Sequence, residues 1–504
     1  MAQSARDRTT PDLFAAQLFL DDEWVAAHAK LQRVWHQPIK ARQPVVRPEH
    51  PWESRRVTMF GTVLRREGRY QMWYMAGSHA APRCVCYACS DDGLSWTKPA
   101  LGLHEVAGTT HNNVVILSEH PTGDIDDITV IDDPDDRDWP LKALFWDSGP
   151  RDTPGLPDQG YWAARSRDGT HWEKLGNVLP GWGDRFNAMS RRHRGKFVVY
   201  GREPDMWNAG GQKGRIVSRT DSDDLTGWSA PQIVLMPDLD DPPPMQFYSA
   251  MAFEYESRVL GAIERMHFSP DVLDVELIHS RDGVAWQRPQ GRPAFLSPGP
   301  PGTWDDTWVN LSTAAPIRHR QQLWFYYAGR STAHGGLMPA PSGAIGLAVL
   351  RADGFCSLQA IGTPGYLLTR PMTWPDGDLL VNADTRRRTD EYPGFGATCG
   401  ELRVGVRDES DRPIEGFDGP DCVPVVRNTA NLIGVDPAEM TARGKAPVYE
   451  AVRWGTGRSL RELRGRRIRL RFDLRDVHLY SFCAGHAAGD APPADADAGF
   501  VIKR

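Results

Sequence analysis

Carboxylate side chains recur at matching places along this sequence. Two carboxyl groups that meet in one pocket can cleave a glycosidic bond, one as the acid that protonates the leaving oxygen and the other as nucleophile or base. A third carboxylate nearby raises the pKa of the acid by like-charge repulsion. The recurring positions, at intervals of 74, 57, 64 and 58 residues, are Glu53, Asp127, Asp184, Tyr248 and Asp306.

Aromatic, basic and amide side chains accompany these acids. Aromatic rings stack on the apolar face of a sugar, while amides, histidine and arginine form hydrogen bonds with its hydroxyl groups. The residues that we predict to bind substrate are His50, Trp52, His111, Asn112, Arg185, Tyr248, Trp304 and Asp305. Any one of the acids, taken alone, could equally cap a loop or form a salt bridge.

The elements that must position these residues contain a repeat. The stretch SDDGLSW (90–96) returns as SRDGTHW (166–172), SDDLTGW (222–228) and SRDGVAW (280–286), and RADGFCS (351–357) is a weaker copy. We call each of these a turn box. Its Asp accepts hydrogen bonds from nearby backbone N–H groups, its Gly takes a positive φ, and its Trp covers the hydrophobic layer beneath. Recurrence at a roughly regular period predicts a repeat architecture.

Short runs rich in aromatic and β-branched residues lie between the turn boxes. Runs such as YQMWYMAG (70–77) and QLWFYYAGR (322–330) are too short for helices and predict strands. Four strands for each turn box make a propeller blade, so the sequence predicts an all-β chain with a five-bladed β-propeller over residues 45–370. The innermost strands of a propeller line a central funnel, where their first residues would converge.

The regions that flank the propeller have other patterns. Runs such as RIRLRFDLRDVHLYSF alternate with a period near two, and they predict an antiparallel β-sandwich over residues 371–486, an accessory domain for which carbohydrate binding is the less favoured role. Residues 1–44 are predicted to supply an edge strand that closes the ring. The tail, residues 487–504, is rich in Ala, Asp and Pro and is expected to be disordered.

Composition excludes several classes of function. The 504 residues carry 59 basic and 65 acidic side chains, a net charge of −6. This composition lacks the excess of positive charge that is typical of nucleic-acid-binding proteins. No apolar segment suggests secretion or membrane insertion, so we expect a cytoplasmic protein with no membrane partner. The seven cysteines predict no disulfide framework, and the group Cys84, Cys86 and Cys89 alternates like a strand, so no metal site is predicted from it.

Several stretches together resemble a known group of proteins. They are LFLDDEW, HPWE, YACSDDGLSWTKPALGL, HNNVVIL, PGPPGTWDD and LWFYYAGR. They are similar to five-bladed propeller proteins related to glycoside hydrolase families 32, 43, 62 and 68, and the resemblance extends over nearly the whole chain, including the C-terminal sandwich. It implies that Glu53, Asp127 and Asp184 are the catalytic carboxylates.

The chain departs from those families at two of these positions. Glu53 stands where they have Asp within a motif such as N-D-P-N-G, and Asp184 stands where they have Glu. Alternative carboxylates are Asp305, Glu203 and the pair Asp21 and Asp22.

The resemblance implies a glycoside hydrolase that acts on a small furanosidic or related glycoside, without a cofactor, although carboxylates and waters in the funnel could hold a divalent cation. The alternative is a non-hydrolytic propeller, either a sugar-binding protein or a biosynthetic enzyme that acts on a specialised metabolite. A glycosyl-phosphate route would require a basic cluster at the funnel, for which Arg185 is the single candidate. The sequence leaves the oligomeric state open.

Overall fold

The structure is a computed structural model that describes residues 12–54, 56–77, 82–150, 159–203, 214–334, 343–385, 400–426, 448–455 and 457–485. Its regular structure is made of strands, with short 3-10 helices at Pro51–Glu53, Gly419–Asp421 and Leu460–Leu463, and the described residues contain no α-helix. The prediction of an all-β chain is confirmed.

The N-terminal segment contains four short strands. They are β1 (Gln17–Leu18), β2 (Val25–Ala29), β3 (Gln32–Trp35) and β4 (Ile39–Lys40).

Three four-stranded antiparallel sheets follow, which we call units one to three. Unit one contains β5 (Arg56–Arg66), β6 (Arg69–Gly77), β7 (Cys84–Ser90) and β8 (Val114–Ile116). Unit two contains β9 (Ile125–Asp132), β10 (Leu141–Asp147), β11 (Gly160–Ser166) and β12 (Trp172–Pro180). Unit three contains β13 (Phe186–Ala188), β14 (Phe197–Glu203), β15 (Ile216–Ser222) and β16 (Gln232–Leu235).

Units four and five are joined by one parallel contact, between Leu273 and Trp308. Unit four contains β17 (Gln246–Tyr255), β18 (Arg258–His267), β19 (Val272–Ser280), β20 (Trp286–Gln287) and β21 (Ala294–Leu296). Unit five contains β22 (Trp308–Leu311), β23 (Ile317–His319), β24 (Gln322–Arg330) and β25 (Ala344–Arg351). The outermost strand of unit five is β4, because Ile39 and Lys40 pair with Val349 and Ala348.

The first strands of successive units contact one another. The Thr62 hydroxyl in β5 accepts a hydrogen bond from the backbone of Val130 in β9 (2.8 Å), and the Thr129 hydroxyl in β9 accepts one from Ala188 in β13 (3.2 Å). The strand β13 contacts β17, and β22 contacts β5. These contacts between first strands are of the kind expected in a propeller, where the first strands are innermost.

Three of the turn boxes form hydrogen bonds with a neighbouring unit. The indole of Trp73 in unit one donates to the backbone oxygen of Gly169 in unit two (2.7 Å), and the Tyr200 hydroxyl in unit three donates to that of Gly283 in unit four (2.7 Å). The Tyr326 hydroxyl in unit five donates in the same way to Gly93 in unit one (2.7 Å). These turn boxes therefore join the units to one another, as well as closing their own strand connections.

The remaining strands form two sheets with a shared hydrophobic core. They are β26 (Cys356–Ala360), β27 (Gly365–Thr369), β28 (Met372–Thr373), β29 (Asp378–Asp384), β30 (Glu401–Arg407), β31 (Tyr449–Ala451), β32 (Arg467–Arg475) and β33 (Val477–Gly485). One sheet has the order β2, β27, β32, β28, with β30 also on β32. The other has the order β3, β26, β33, β29, β31, with β1 also on β33.

An edge strand that closes the ring was predicted within residues 1–44. In the described part of this segment, Ile39 and Lys40 pair with unit five, whereas β1, β2 and β3 pair with β33, β27 and β26. Pairing satisfies backbone groups that would otherwise be exposed at the edges of these sheets, and Phe19 and Trp24 enter their core. The two sheets also include residues 356–369, which precede the boundary expected at 371. The predicted tail, residues 487–504, lies outside the described residues.

Three further observations concern membrane helices, the cysteines and groups of metal-ligating side chains. In the described part of the chain, no helix has the length and apolar character needed to cross a membrane. Cys84 and Cys86 share one core cluster with their Sγ atoms 3.9 Å apart, whereas Cys89 packs in a different one. The described residues contain no group of three or more His, Cys, Asp or Glu side chains arranged to hold a metal ion.

Candidate active site at the funnel end

Five antiparallel strand pairs bring distant residues to one end of the units. At this end, which we call the funnel end, the innermost strand of each unit begins and its second strand ends. The paired positions there are Arg56 with Gly77, Ile125 with Asp147, Phe186 with Gly201, Gln246 with Met266, and Trp308 with Arg330.

Asp127 is a buried carboxyl group near the start of β9. Its Oδ2 accepts hydrogen bonds from the Tyr161 hydroxyl and the Phe186 backbone N–H, both at 2.9 Å. Its Oδ1 is also buried and accepts no hydrogen bond from any described residue. Burial raises the pKa of Asp127 to about 6, against the opposing effect of Arg185. Asp127 is therefore a carboxylic acid poised to hold or release a proton near neutral pH.

Arg185 connects the surroundings of Asp127 with unit four. Its guanidinium group donates to both oxygens of Glu264, at 3.2 and 2.5 Å, and its Cζ lies 3.8 Å from the centre of the Phe60 ring. Its Nη1 has no hydrogen-bond partner among the described residues. Burial raises the pKa of Glu264.

The backbone of Arg185 is in an uncommon conformation. Its φ is +71°, in the left-handed region that non-glycine residues rarely occupy. Such conformations are costly, and they persist where packing and hydrogen bonds hold the residue, often at functional sites. The bidentate bond to Glu264 supplies such a constraint here.

Asp184 forms an ion pair with Arg202, next to Arg185. The Asp184 side chain is 30% exposed, and that of Arg202 only 10%. The Arg202 guanidinium lies over the ring of Tyr248, at 5.3 Å from its centre. Of the predicted site residues, Asp127, Asp184, Arg185 and Tyr248 thus lie together at the funnel end.

Other arginine side chains at this end were not predicted from the sequence. Arg215 lies 5.5 Å from the centre of the Tyr248 ring, and Arg330 lies 4.0 Å from that of Trp308. A signal was present in the strand-ending sequences YGR and AGR, which place Arg202 and Arg330 at equivalent positions of β14 and β24. It becomes informative only when the end of the second strand is known to face the funnel.

Glu53, predicted to be catalytic, forms no hydrogen bond or ion pair with Asp127 or Asp184 among the described contacts. It is fully buried and accepts hydrogen bonds from Tyr74 Oη (2.6 Å) and from the backbone of Glu49 and His50 (2.9 and 3.2 Å). Lys98 Nζ forms an ion pair with it at 2.9 Å. With both oxygens occupied, Glu53 has contacts that favour a structural role.

The predicted substrate-binding residues of the first two units have partners of their own. Trp52 donates to Asn113 Oδ1 at 3.0 Å, and His50 stacks on its ring at 4.5 Å. Asn112 is buried and holds its loop through hydrogen bonds to the backbone of His104, Thr109 and Val114. His111 is exposed.

Asp305 and Trp304 lie beside unit five, where they contact its second strand, β24, and Asp305 also contacts β4. Asp305 forms an ion pair with Lys40 at 2.6 Å and accepts a hydrogen bond from the Tyr327 hydroxyl at 3.0 Å. Trp304 stacks on the Tyr327 ring at 5.5 Å. These contacts fix the strand β4 on the unit and are separate from those of Asp127.

The alternative carboxylates Asp21 and Asp22 border a different cavity. This cavity, of about 610 Å³, lies between the N-terminal segment and unit four. Asp21 pairs with Arg258 and Arg281 at 3.2 and 2.8 Å, and Asp22 pairs with Arg33 at 2.5 Å. Glu203, the remaining alternative, ends β14, next to Arg202.

Comparison with known proteins identifies no family. No protein-family model matches the chain, and no curated protein matches it. Similar solved structures include an N-acetylgalactosamine deacetylase from F. plautii in complex with blood group B trisaccharide, at 17% identity over 65% of this chain and 97% of that chain, with a TM-score of 0.46.

Two other similar structures have comparable values. A putative glycoside hydrolase from Bacteroides ovatus is 15% identical over 62% of this chain and 93% of its own, with a TM-score of 0.42. A β-1,2-mannobiose phosphorylase from Listeria innocua is 13% identical over 64% of this chain and 98% of its own, with a TM-score of 0.43. At these values the similarity decides nothing about the reaction of this chain.

Proposed function

We propose that the protein is a carbohydrate-active enzyme that cleaves a glycosidic bond of a small glycoside at the funnel end. The observation that carries this proposal is Asp127, a buried carboxyl group with a pKa of about 6 and one oxygen that no described residue occupies. A carboxyl group with a pKa near 6 retains the proton to a far greater extent near neutral pH than an ordinary aspartic acid, as protonation of a leaving oxygen requires.

Asp184 is the second carboxyl group of the proposal. It pairs with the Arg202 guanidinium group, and in the proposal its carboxylate attacks the anomeric carbon or activates a water molecule. Arg185 acts as a positioning residue, because it is held by Glu264 and its charge lowers the pKa of Asp127 towards the working range. Glu53 is not part of the proposed machinery.

Variants of the two carboxyl groups test the proposal with small aryl glycosides. We expect Asp127→Asn and Asp184→Asn each to lower kcat by about 10²- to 10⁴-fold, the usual contribution of acid–base catalysis. For Asp127→Asn the loss should shrink as the leaving group becomes more acidic, since a good leaving group needs no proton. In the wild type, kcat/KM should fall as the pH rises through about 6.

Asp132→Asn is the matched control. Asp132 ends the same strand, β9, away from the funnel end, and forms ion pairs with Arg66 and Arg191. Turnover by this variant should stay within about twofold of the wild type, because such partly exposed pairs contribute little. Turnover that survives both funnel substitutions would refute the assignment, whereas sugar binding without turnover in the wild type would favour the non-hydrolytic alternative.

A further inference from the structure

Three arginine side chains converge on two aromatic rings at the funnel end. The rings of Tyr248 and Trp308 lie 5.1 Å apart. The Cζ atoms of Arg202 and Arg215 lie 5.3 and 5.5 Å from the centre of the first ring, and that of Arg330 lies 4.0 Å from the centre of the second. The three guanidinium groups therefore border one small volume.

The carboxylates around this volume do not pair with all three of the arginine side chains. Asp184 pairs with Arg202, and Asp271 faces Arg330. Arg215 donates to the Gln246 amide oxygen at 3.0 Å and to the Met266 sulfur at 3.6 Å, and no carboxylate of the described residues forms an ion pair with it. A half-buried guanidinium group without a carboxylate partner is costly, and a bound anion would relieve this cost.

Two further observations favour anion binding at this place. Arg202 is nine-tenths buried, and its Nη1 has no hydrogen-bond partner among the described residues. Burial and the neighbouring Arg202 lower the pKa of Arg215, and burial and Arg56 lower that of Arg330 to about 10. Mutual repulsion therefore adds to the desolvation of these groups.

The remaining groups at this volume complete the charge balance. His334 stacks on Trp308 at 5.3 Å, and burial together with Arg215 and Arg330 lowers its pKa, which favours the neutral ring at pH 7. Glu264 is engaged by Arg185, and Asp126 forms ion pairs with Arg56 and Arg83. None of these acids pairs with Arg215.

We infer that Arg202, Arg215 and Arg330 bind an oxyanion, a carboxylate, phosphate or sulfate group, beside the reacting bond. That the rest of the substrate is a glycoside rests on the proposed function. The anion site itself does not depend on that proposal. The anion either belongs to the glycoside, as in a uronate or a sugar phosphate, or is inorganic phosphate. In the second case phosphate oxygen forms the new bond to the anomeric carbon as the glycosidic C–O bond breaks, and the acid's proton goes to the leaving oxygen.

Calorimetric titration of the full chain tests the site without requiring turnover. The probes are inorganic phosphate, sulfate and glucuronate, with glucose as the neutral counterpart of glucuronate. We expect at least one oxyanion to bind, Arg215→Gln to weaken it at least about tenfold, and Arg215→Lys to retain more binding than the glutamine variant because it keeps the charge.

Arg219→Gln is the matched control. Arg219 lies four residues further along, on β15, and its guanidinium pairs with Asp221 at 2.8 Å. Anion binding should be unchanged in this variant, and circular dichroism should show that all three variants are folded. The inference fails if no oxyanion binds the wild type at millimolar concentration, or if Arg215→Gln binds as the wild type does.

The source of the anion is distinguished by pairing the probes. Binding of glucuronate well above that of glucose places the anion on the sugar. Cleavage of a neutral glycoside that depends on added phosphate identifies inorganic phosphate as the anion. If the protein binds an oxyanion but cleaves no glycoside, the anion site is supported and the proposed function is refuted. If it cleaves neutral glycosides but binds no oxyanion, the proposed function is supported and the anion site is refuted.

Discussion

At the scale of single residues, Asp127 shows how a fold sets the chemistry of a carboxyl group. Its strand position buries it completely, and two hydrogen bonds to Oδ2 do not compensate the loss of water around Oδ1. The charged form is disfavoured as a result, and the pKa rises to about 6. The same shift links the protonation of Asp127 to the stability of the protein.

A comparison of wild type and Asp127→Asn at several pH values checks this linkage. Because the folded-state pKa lies above the ordinary value of 3.8, the folded state binds the proton more tightly than the unfolded state. The stabilisation is complete below about pH 4 and is lost as the pH rises through 6, a change of about 3 kcal/mol. We therefore expect the free energy of unfolding of Asp127→Asn, measured in urea, to increase relative to that of the wild type as the pH rises from 4 to 8. A difference independent of pH would contradict the raised pKa.

At the scale of elements, the turn boxes explain why one short pattern recurs along the chain. In each well-formed copy the Ser hydroxyl accepts from the backbone three residues after it, and the Asp carboxylate accepts from the second and third residues after it. In the second copy Ser166 accepts from Gly169, and Asp168 accepts from Thr170 and His171. In the exposed copy at Asp224, the backbone N–H groups of Gly227 and Thr226 lower the pKa to about 2. In the three well-formed copies with glycine directly after the Asp, the missing side chain then allows the neighbouring unit to approach.

Gly169→Ala tests this close approach between units. A Cβ on Gly169 would lie 2.5 Å from the Trp73 ring, and the residue has a φ of +84°. We expect a loss of about 3 kcal/mol in the free energy of unfolding, from the strained backbone together with the displaced indole.

Gly102→Ala provides the control for backbone strain alone. Gly102 has a φ of +71° and nothing within 4 Å of the added Cβ. Its substitution should cost about 1 kcal/mol. Equal losses in the two variants, measured by chemical denaturation, would show that contact with the neighbouring unit does not matter.

At the scale of the whole molecule, Asp353 joins the ring of units to the two C-terminal sheets. It occupies the Asp position of the weak fifth turn box. Its Oδ1 accepts from the Tyr255 hydroxyl of unit four at 2.7 Å, and its Oδ2 accepts from Ser481 at 2.6 Å, from Asn382 at 3.2 Å and from Tyr449. The box has lost the Ser and Trp of the other copies, and its carboxylate serves the contact between the two parts.

Asp353→Ala should uncouple these parts. Removal of the carboxylate leaves several buried donors without their acceptor, so we expect a loss of about 3 to 5 kcal/mol and a calorimetric unfolding transition that broadens or divides in two. Asp282→Ala, at the same position of the fourth box, removes hydrogen bonds within its own turn and should cost about 1 kcal/mol with a single transition. Identical transitions for the two variants would contradict the joining role of Asp353.

Much of the fold depends on residues that are close together in the sequence, and it could therefore be predicted. Turn boxes, short aromatic strands and their order predict the strands of units one to five, because each depends on residues within a few positions of one another. The same local order places Asp127, Asp184, Arg185 and Tyr248 at the starts of inner strands. The pairing of β1, β2 and β3 with the C-terminal sheets could not be predicted, since it joins residues more than 300 positions apart.

The sequence by itself determined the repeat, the all-β character and the acids that begin the inner strands. Only the tertiary structure decided which side chains share the funnel end. Antiparallel pairing brings the end of each second strand beside the start of the inner strand. Arg202 therefore lies near Asp184, and Arg330 lies beside Trp308. Arg215, which directly precedes β15, lies at the same end. Packing decided equally that Glu53 is held by Lys98 and Asp305 by Lys40. Burial and the distance between charges depend on these contacts, and a spacing along the chain specifies neither.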